Sequence, residues 1–268
     1  MEENIIDQVY IQNNSIFVNT IKDISKGIVK IIYNNNISTG FLMKLYINKA
    51  NTLYFMITCN HCIKEEMLGQ EIVIYYQDLT EEKSFSIKLD KNKRFIKFYS
   101  KSDNLDVTVV RIFKSEIKDY MNFLIPDKNY TNGYDYYLEN NNIFLFGYPK
   151  NLPQKFSLGK ISSYENYYFL HICDTEDGNS GSVIVNEKGE IVGVHKGYNI
   201  DKYANFGIFI GPIVEDLLKN EQSINSIKEE TIVECSISIN SINKFSVEEE
   251  NENLINIENT NKNLQKKK

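Results

Sequence analysis

Short runs of β-branched and aromatic residues, each closed by turn-forming residues, recur from about residue 27 to residue 210 and leave little room for anything but strands. The first half holds GIVKIIY (27–33), GFLMKLYI (40–47), TLYFMIT (52–58), EIVIYY (71–76), SFSIKL (84–89) and DVTVVRIF (106–113). The second holds NIFLFGY (142–148), YYFLHI (167–172), GSVIVN (181–186), EIVGVH (190–195) and FGIFI (206–210). Many short strands with frequent turns, and few helical periods between them, argue for an all-β barrel or sandwich and against βαβ units. Two helices are expected. SEIKDYMNFL (115–124) begins on a capping serine with Ile117, Tyr120, Met121 and Leu124 at helical spacing, and PIVEDLLKN (212–220) has proline in its first turn and a Val214, Leu217, Leu218 face. The second should close the domain.

A chain of 268 residues with 42% apolar side chains can bury one large core, so the expected organisation is an N-terminal extension (1–20), one main domain (21–220) and a tail. After residue 220 the composition shifts to Glu, Asn, Ser, Ile and Lys; TIVECSISI (231–239) could add one more strand, while 246–268 is too polar to offset its ordering entropy. A net charge of -6, with no basic run before the terminal lysines, argues against a nucleic-acid surface. No apolar run spans a bilayer and the start lacks the features of a secretory signal, which makes the cytosol the expected location. Cys59, Cys62, Cys173 and Cys235 lack paired metal-ligand spacing and are expected as thiols.

The chemistry-bearing stretch is DGNSGS (177–182). A serine hydroxyl needs a base and oxyanion donors to act as a nucleophile, and small flanking residues let backbone N–H groups turn toward the oxyanion. Ser180 fits as nucleophile, with the N–H groups of Gly178 and Ser180 as the oxyanion hole. The glycine spacing is not that of the Gly-x-Ser-x-Gly elbow. Of the three histidines, His61 stands where a strand ends and is the candidate base; Asp106, at the mouth of an apolar strand, is the candidate orienting carboxylate. The chain order His, Asp, Ser differs from that of subtilisins and α/β-hydrolases.

With STGFLM (38–43), MITCNHC (56–62), DVTVV (106–110), FGYP (146–149) and DGNSGSVIVNEKGEIVGVHKGY (177–198) in this order, the chain resembles trypsin-like serine peptidases of the chymotrypsin fold, closest to the glutamyl-endopeptidase branch. The resemblance covers roughly residues 25–218. It implies two six-stranded antiparallel barrels, about 21–120 and 121–220, with His61 and Asp106 from the first, Ser180 from the second, and a peptide or protein substrate in the cleft between them. No metal or cofactor is required. Four departures stand out: Cys62 has no disulfide partner in STGFLM, Asn179 replaces the aspartate that pairs with a newly cut N-terminus, Val183 replaces a proline, and Cys59 and Asn60 occupy positions usually held by small residues.

The resemblance also implies that Thr175 and His195 hydrogen-bond a Glu or Gln side chain before the scissile bond. Asp174 falls at the pocket base and leaves three readings open: it holds His195 protonated, it selects a basic side chain, or it forms a structural pair with His195. His171 is assigned to a strand face without function. Lys196 and Tyr198, within KGYN (196–199), would offer a backbone edge to the substrate. The competing reading is a catalytically silent module that binds a peptide or partner through the same cleft, against which the retained triad and both glycines argue.

Overall fold

The computed structural model describes residues 18–48, 51–78, 81–100, 105–138 and 142–226. The expected strand at 231–239 and the polar stretch at 246–268 lie outside the described residues. The first half is a seven-stranded antiparallel sheet made of β1 (Ile28–Tyr33), β2 (Asn36–Tyr46), β3 (Thr52–Cys59), β4 (Glu71–Asp78), β5 (Glu81–Lys88), β6 (Ile96–Tyr99) and β7 (Val107–Ile112), in the order β5-β4-β1-β2-β3-β7-β6. The second is a closed six-stranded barrel of β8 (Asn142–Gly147), β9 (Lys155–Glu165), β10 (Tyr168–His171), β11 (Val183–Val185), β12 (Ile191–Asn199) and β13 (Ala204–Phe209), in the order β10-β13-β12-β11-β8-β9. The first half thus carries one strand beyond six; β6 and β9 are the two strands with no run in the sequence reading above.

Local chemistry explains the layout. Asn34 and Asn35 adopt φ of 47° and 64°, so they make the two-residue turn that sets Tyr33 opposite Asn36 between β1 and β2. Along β2 the period of two sends Phe41, Met43 and Leu45 into a core with Phe146, Val183 and Val194 of the second half, while Leu42 packs with Val29, Ile31 and Met56 on the other face. Both faces are buried, which is why these runs read as nearly continuous apolar stretches. In β9 only Gly159 and Ile161 are buried, and Phe156 and Leu158 are 49% and 57% exposed, so the strand that closes the barrel shows no apolar alternation.

The helix expected at 115–124 does not form. Lys114–Glu116 makes one 3-10 turn, after which the chain extends: Leu124 N–H donates to Leu42 O at 2.9 Å and Lys44 N–H donates to Leu124 O at 2.9 Å. Pairing with β2 buries Phe123 and Leu124 and outcompetes a helical stripe too short to stabilise itself. Helix α1 occupies residues 18–25, across the expected boundary at residue 20, and buries Ile24. Helix α2 (Gly211–Lys219) forms as expected, but its buried face is Ile213, Val214 and Leu217, with Leu218 turned to solvent. It ties back to the first sheet where Tyr99 Oη donates to Asp216 Oδ2 at 2.6 Å. Helix α3 (Glu221–Ser226) follows with Ile224 fully buried, and Arg111 donates to the Ile224 carbonyl at 3.2 Å, so folded structure continues past residue 220.

Candidate active site

β3 ends at Cys59, and the turn after it delivers His61 to the mouth of β7. Asp106 precedes β7 at φ 56°, a left-handed conformation that a non-glycine residue adopts at a cost. Three bonds hold it there: its carbonyl accepts from Asn60 N–H at 3.0 Å, Oδ1 accepts from His61 N–H at 2.9 Å, and Oδ2 lies 2.9 Å from His61 Nδ1. Asn60 Nδ2 also donates to Thr108 Oγ1 at 3.1 Å, and Thr108 Oγ1 donates to Ile63 O at 2.7 Å, so the turn is clamped to β7 on both sides of the histidine. Asp106 is buried, with its carboxyl held below the usual range by the His61 bonds against the cost of burial. In return, Asp106 first and Cys62 second push His61 up to about 10.

Ser180 sits between Gly178 (φ 94°) and Gly181 (φ 87°). Thr39 stitches this loop to β2: its Oγ1 donates to Gly178 O at 2.8 Å and its N–H to Ser180 O at 3.0 Å. Gly181 N–H donates to His195 O at 2.9 Å and His195 N–H to Ser182 O at 2.8 Å, which lashes the loop to β12. Among the described residues, the N–H groups of Gly178 and Ser180 donate to no protein acceptor, leaving two adjacent donors free beside the Ser180 hydroxyl. That hydroxyl rests on Lys196 O at 3.5 Å rather than on His61, a geometry that substrate binding can tighten.

A cleft of about 1170 Å³ opens beside Ser180, lined by Asp174, Thr175, Gly178, His195, Tyr198 and Asn205 among others. His195 is buried in its wall, and its Nδ1 lies 3.0 Å from Nε2 of His171, also buried. His171, on strand β10 as expected, is therefore the partner of His195. It follows Phe169 by two positions on β10 and shares that residue's inward face, which was the available signal. Burial pushes His171 down to about 3 and His195 down as well, so both rings are neutral near pH 7. His171 Nδ1 has no partner, and an orphaned buried N–H is rare, so the proton belongs on Nε2 facing His195. His195 then carries its own proton on Nε2 as a donor.

Asp174 makes no contact with His195. It is exposed, and its N–H donates to Ser157 Oγ at 2.7 Å, which removes both readings that paired it with the histidine and leaves it on the cleft wall. Thr175 Oγ1 donates to Asn205 Oδ1 at 2.5 Å, and Asn205 Nδ2 donates to Cys173 O at 2.8 Å. Asn205 is thus a cleft residue that nothing in its sequence surroundings marked. On β12, residues 197–199 pair with β13 alone, so their other edge is open; Lys196 instead turns its side chain toward Asp106.

Comparison with known proteins bears on the family and the fold. The profile of the trypsin-like peptidase domain matches residues 38–194, more than half of the chain. The chain belongs to this family. A glutamyl endopeptidase of Staphylococcus epidermidis is 27% identical over 120 residues, covering 44% of this chain and 42% of the relative. One from Staphylococcus aureus (strain MRSA252) is 30% identical over 124 residues, covering 45% and 34%. The chain thus matches less than half of the length of these relatives. Among solved structures, a serine endoprotease from Yersinia pestis superposes with a TM-score of 0.54 at 16% identity, covering 76% of this chain and 67% of that one. The HtrA-type protease AlgW gives 0.53 at 14% identity, covering 76% and 62%. At such identities the likeness speaks for the fold.

This trypsin-like peptidase domain carries thiols on both sides of its histidine. Cys59 Sγ donates to His195 O at 3.2 Å and is fully buried, which raises its pKa well above the usual range. The neighbouring Cys59 side chain first, against the cost of burial and with His61 assisting, pulls the partly exposed Cys62 down to about 5. Burial pushes Cys173 up to about 12. Iodoacetamide at pH 7 should therefore alkylate Cys62 at least about tenfold faster than Cys59 or Cys173, as followed by peptide mass mapping. Earlier modification of either buried thiol would contradict this assignment.

Proposed function

We propose that this chain is a serine endopeptidase working through His61, Asp106 and Ser180. The reading is carried by one observation: a histidine is locked to a buried aspartate, the next residue, Cys62, has its Sγ 3.9 Å from the carbonyl of the glycine-bracketed Ser180, and the N–H donors beside that serine are free. Ser180 Oγ attacks the peptide carbonyl carbon as His61, in its neutral form, takes the proton on Nε2, a form whose share grows as pH climbs toward 10, and the developing oxyanion is met by the N–H groups of Gly178 and Ser180. His61 passes the proton to the leaving amine as the C–N bond breaks, and water then releases the acyl group by the same route. The open edge of β12 at residues 197–199 supports binding of the substrate as an added strand along the cleft that Tyr198 lines.

In the S1 pocket, the neutral His195 offers an Nε2–H donor, with Thr175 nearby, to the side-chain oxygen of Glu or Gln. This agrees with the staphylococcal relatives being glutamyl endopeptidases. One observation favours a second reading: Asp174, Glu176 and Asp177 also line the cleft, a rim suited to a basic side chain.

Purified protein treated with a fluorophosphonate probe should be labelled, with the adduct mapped to Ser180. A peptide library varied at the residue before the cut should then give cleavage after Glu or Gln. Cleavage after Lys or Arg would move the selecting role to the acidic rim, and folded protein that neither labels nor cleaves would favour the silent binding module.

A further inference from the structure

Lys196 is the extra residue of a β-bulge. His195 stands opposite Gly207, but Gly197 stands opposite Phe206, so two steps along β12 meet one along β13. Bulges re-aim side chains and gather beside active sites. Here the side chain crosses toward the first half, where Lys196 Nζ lies 3.8 Å from Asp106 Oδ2, the same oxygen that lies 2.9 Å from His61 Nδ1. The ammonium also sits 5.1 Å over the Phe206 ring. The lysine side chain is 12% exposed and the aspartate's 7%. A lysine so enclosed needs a compensating anion, and Asp106 is its partner.

Resting on the peptidase reading above, we propose that Lys196 is a positioning residue of the triad: its ammonium, placed on Asp106 Oδ2, holds a second cation against the carboxylate and so keeps His61 neutral to lower pH. A carboxylate that already faces one cation stabilises a second less well, so imidazolium formation at His61 is opposed, and the neutral ring is the form that accepts the Ser180 proton. The charged and titratable groups around His61 act in both directions. Asp106 from the head of β7 and Cys62 from the turn favour imidazolium. Lys196 from β12 opposes it through Asp106. Lys64, Tyr198 and Phe206 line the same cavity of about 350 Å³ as His61, and Cys59 Sγ donates to His195 O at 3.2 Å.

The test compares wild type, Lys196→Met and Lys196→Arg, each checked for fold by circular dichroism. His61 is titrated by NMR of its ring Cε1–H, assigned with a His61→Gln variant, and kcat/KM is measured against pH. Lys196→Met should raise the His61 midpoint and the acid limb of kcat/KM by about one pH unit, with roughly tenfold lower kcat/KM on that limb. Lys196→Arg, which keeps the charge, should stay near wild type. A His61 midpoint unchanged in folded Lys196→Met, or raised equally in Lys196→Arg, would overturn the proposal. Wild type that neither labels nor turns over counts against the peptidase reading instead, and the NMR titration separates the two failures because it needs no turnover.

Discussion

Replacing Ser180 or His61 by alanine should lower kcat by a factor on the order of 10⁶, and the double variant should lose little more than either alone. The two side chains perform one step, transfer of the Ser180 proton as Oγ attacks, so once one is gone the other has nothing left to do. Residual turnover would come from the free N–H donors of Gly178 and Ser180 and from strand pairing along β12. Asp106→Asn should lose about 10⁴. An amide Nδ2 facing His61 Nδ1 would demand the lone pair there and place the ring proton on Nε2, toward the serine. Single-turnover kinetics on purified variants, with active sites counted by fluorophosphonate, provides the measurement. If the Ser180 and His61 losses multiplied, the two residues would not be acting as a unit.

Gly181→Ala should be the most damaging of the single substitutions to the fold. A Cβ on Gly181 would sit 2.1 Å from Thr39 O and 2.4 Å from Thr58 Oγ1, at a φ of 87° that side chains avoid. Thr39 cannot retreat, because its N–H holds Ser180 O and its Oγ1 both donates to Gly178 O and accepts from Tyr148 N–H. Thr58 is likewise pinned, its Oγ1 donating to the same Thr39 carbonyl at 2.7 Å. Strain and overlap together should cost about 4 kcal/mol or more, or about 10 °C in Tm. Urea and thermal melts decide it: a variant within about 1 kcal/mol of wild type would mean that the loop can shift without loss.

The strands were legible where both faces are buried, as in the runs around Phe41 and Met56, and illegible where burial is one-sided and sparse, as in β9. The stripe at 115–124 misled because helical spacing within ten residues says nothing about a sheet edge waiting to pair with them. At the proposed site, His61, Asp106 and Ser180 were legible because their chemistry comes in fixed order with glycines attached, and the structure pairs His61 with Asp106 and sets Ser180 in the wall of a cleft. The wall of that cleft was less so. Whether Asp174 or His171 pairs with His195 depends on which residues meet across β10 and β12, a matter of register that no local pattern fixes. The turn of Lys196 toward Asp106 depends on a one-residue bulge, which is equally silent in the sequence.

The three imidazoles also divide the proton traffic of folding. An unfolded chain binds a proton at each histidine near pH 6.5. His171 and His195, depressed in the native state, refuse theirs, so as pH falls below about 6.5 the unfolded state gains up to two protons that the folded state does not, and stability drops by up to about 2.7 kcal/mol per unit. His61, raised to about 10, does the reverse: its contribution is complete below 6.5 and is lost as pH climbs toward 10. The site's histidines thus penalise the fold on both sides of near-neutral pH, from acid through the pocket wall and from alkali through the base.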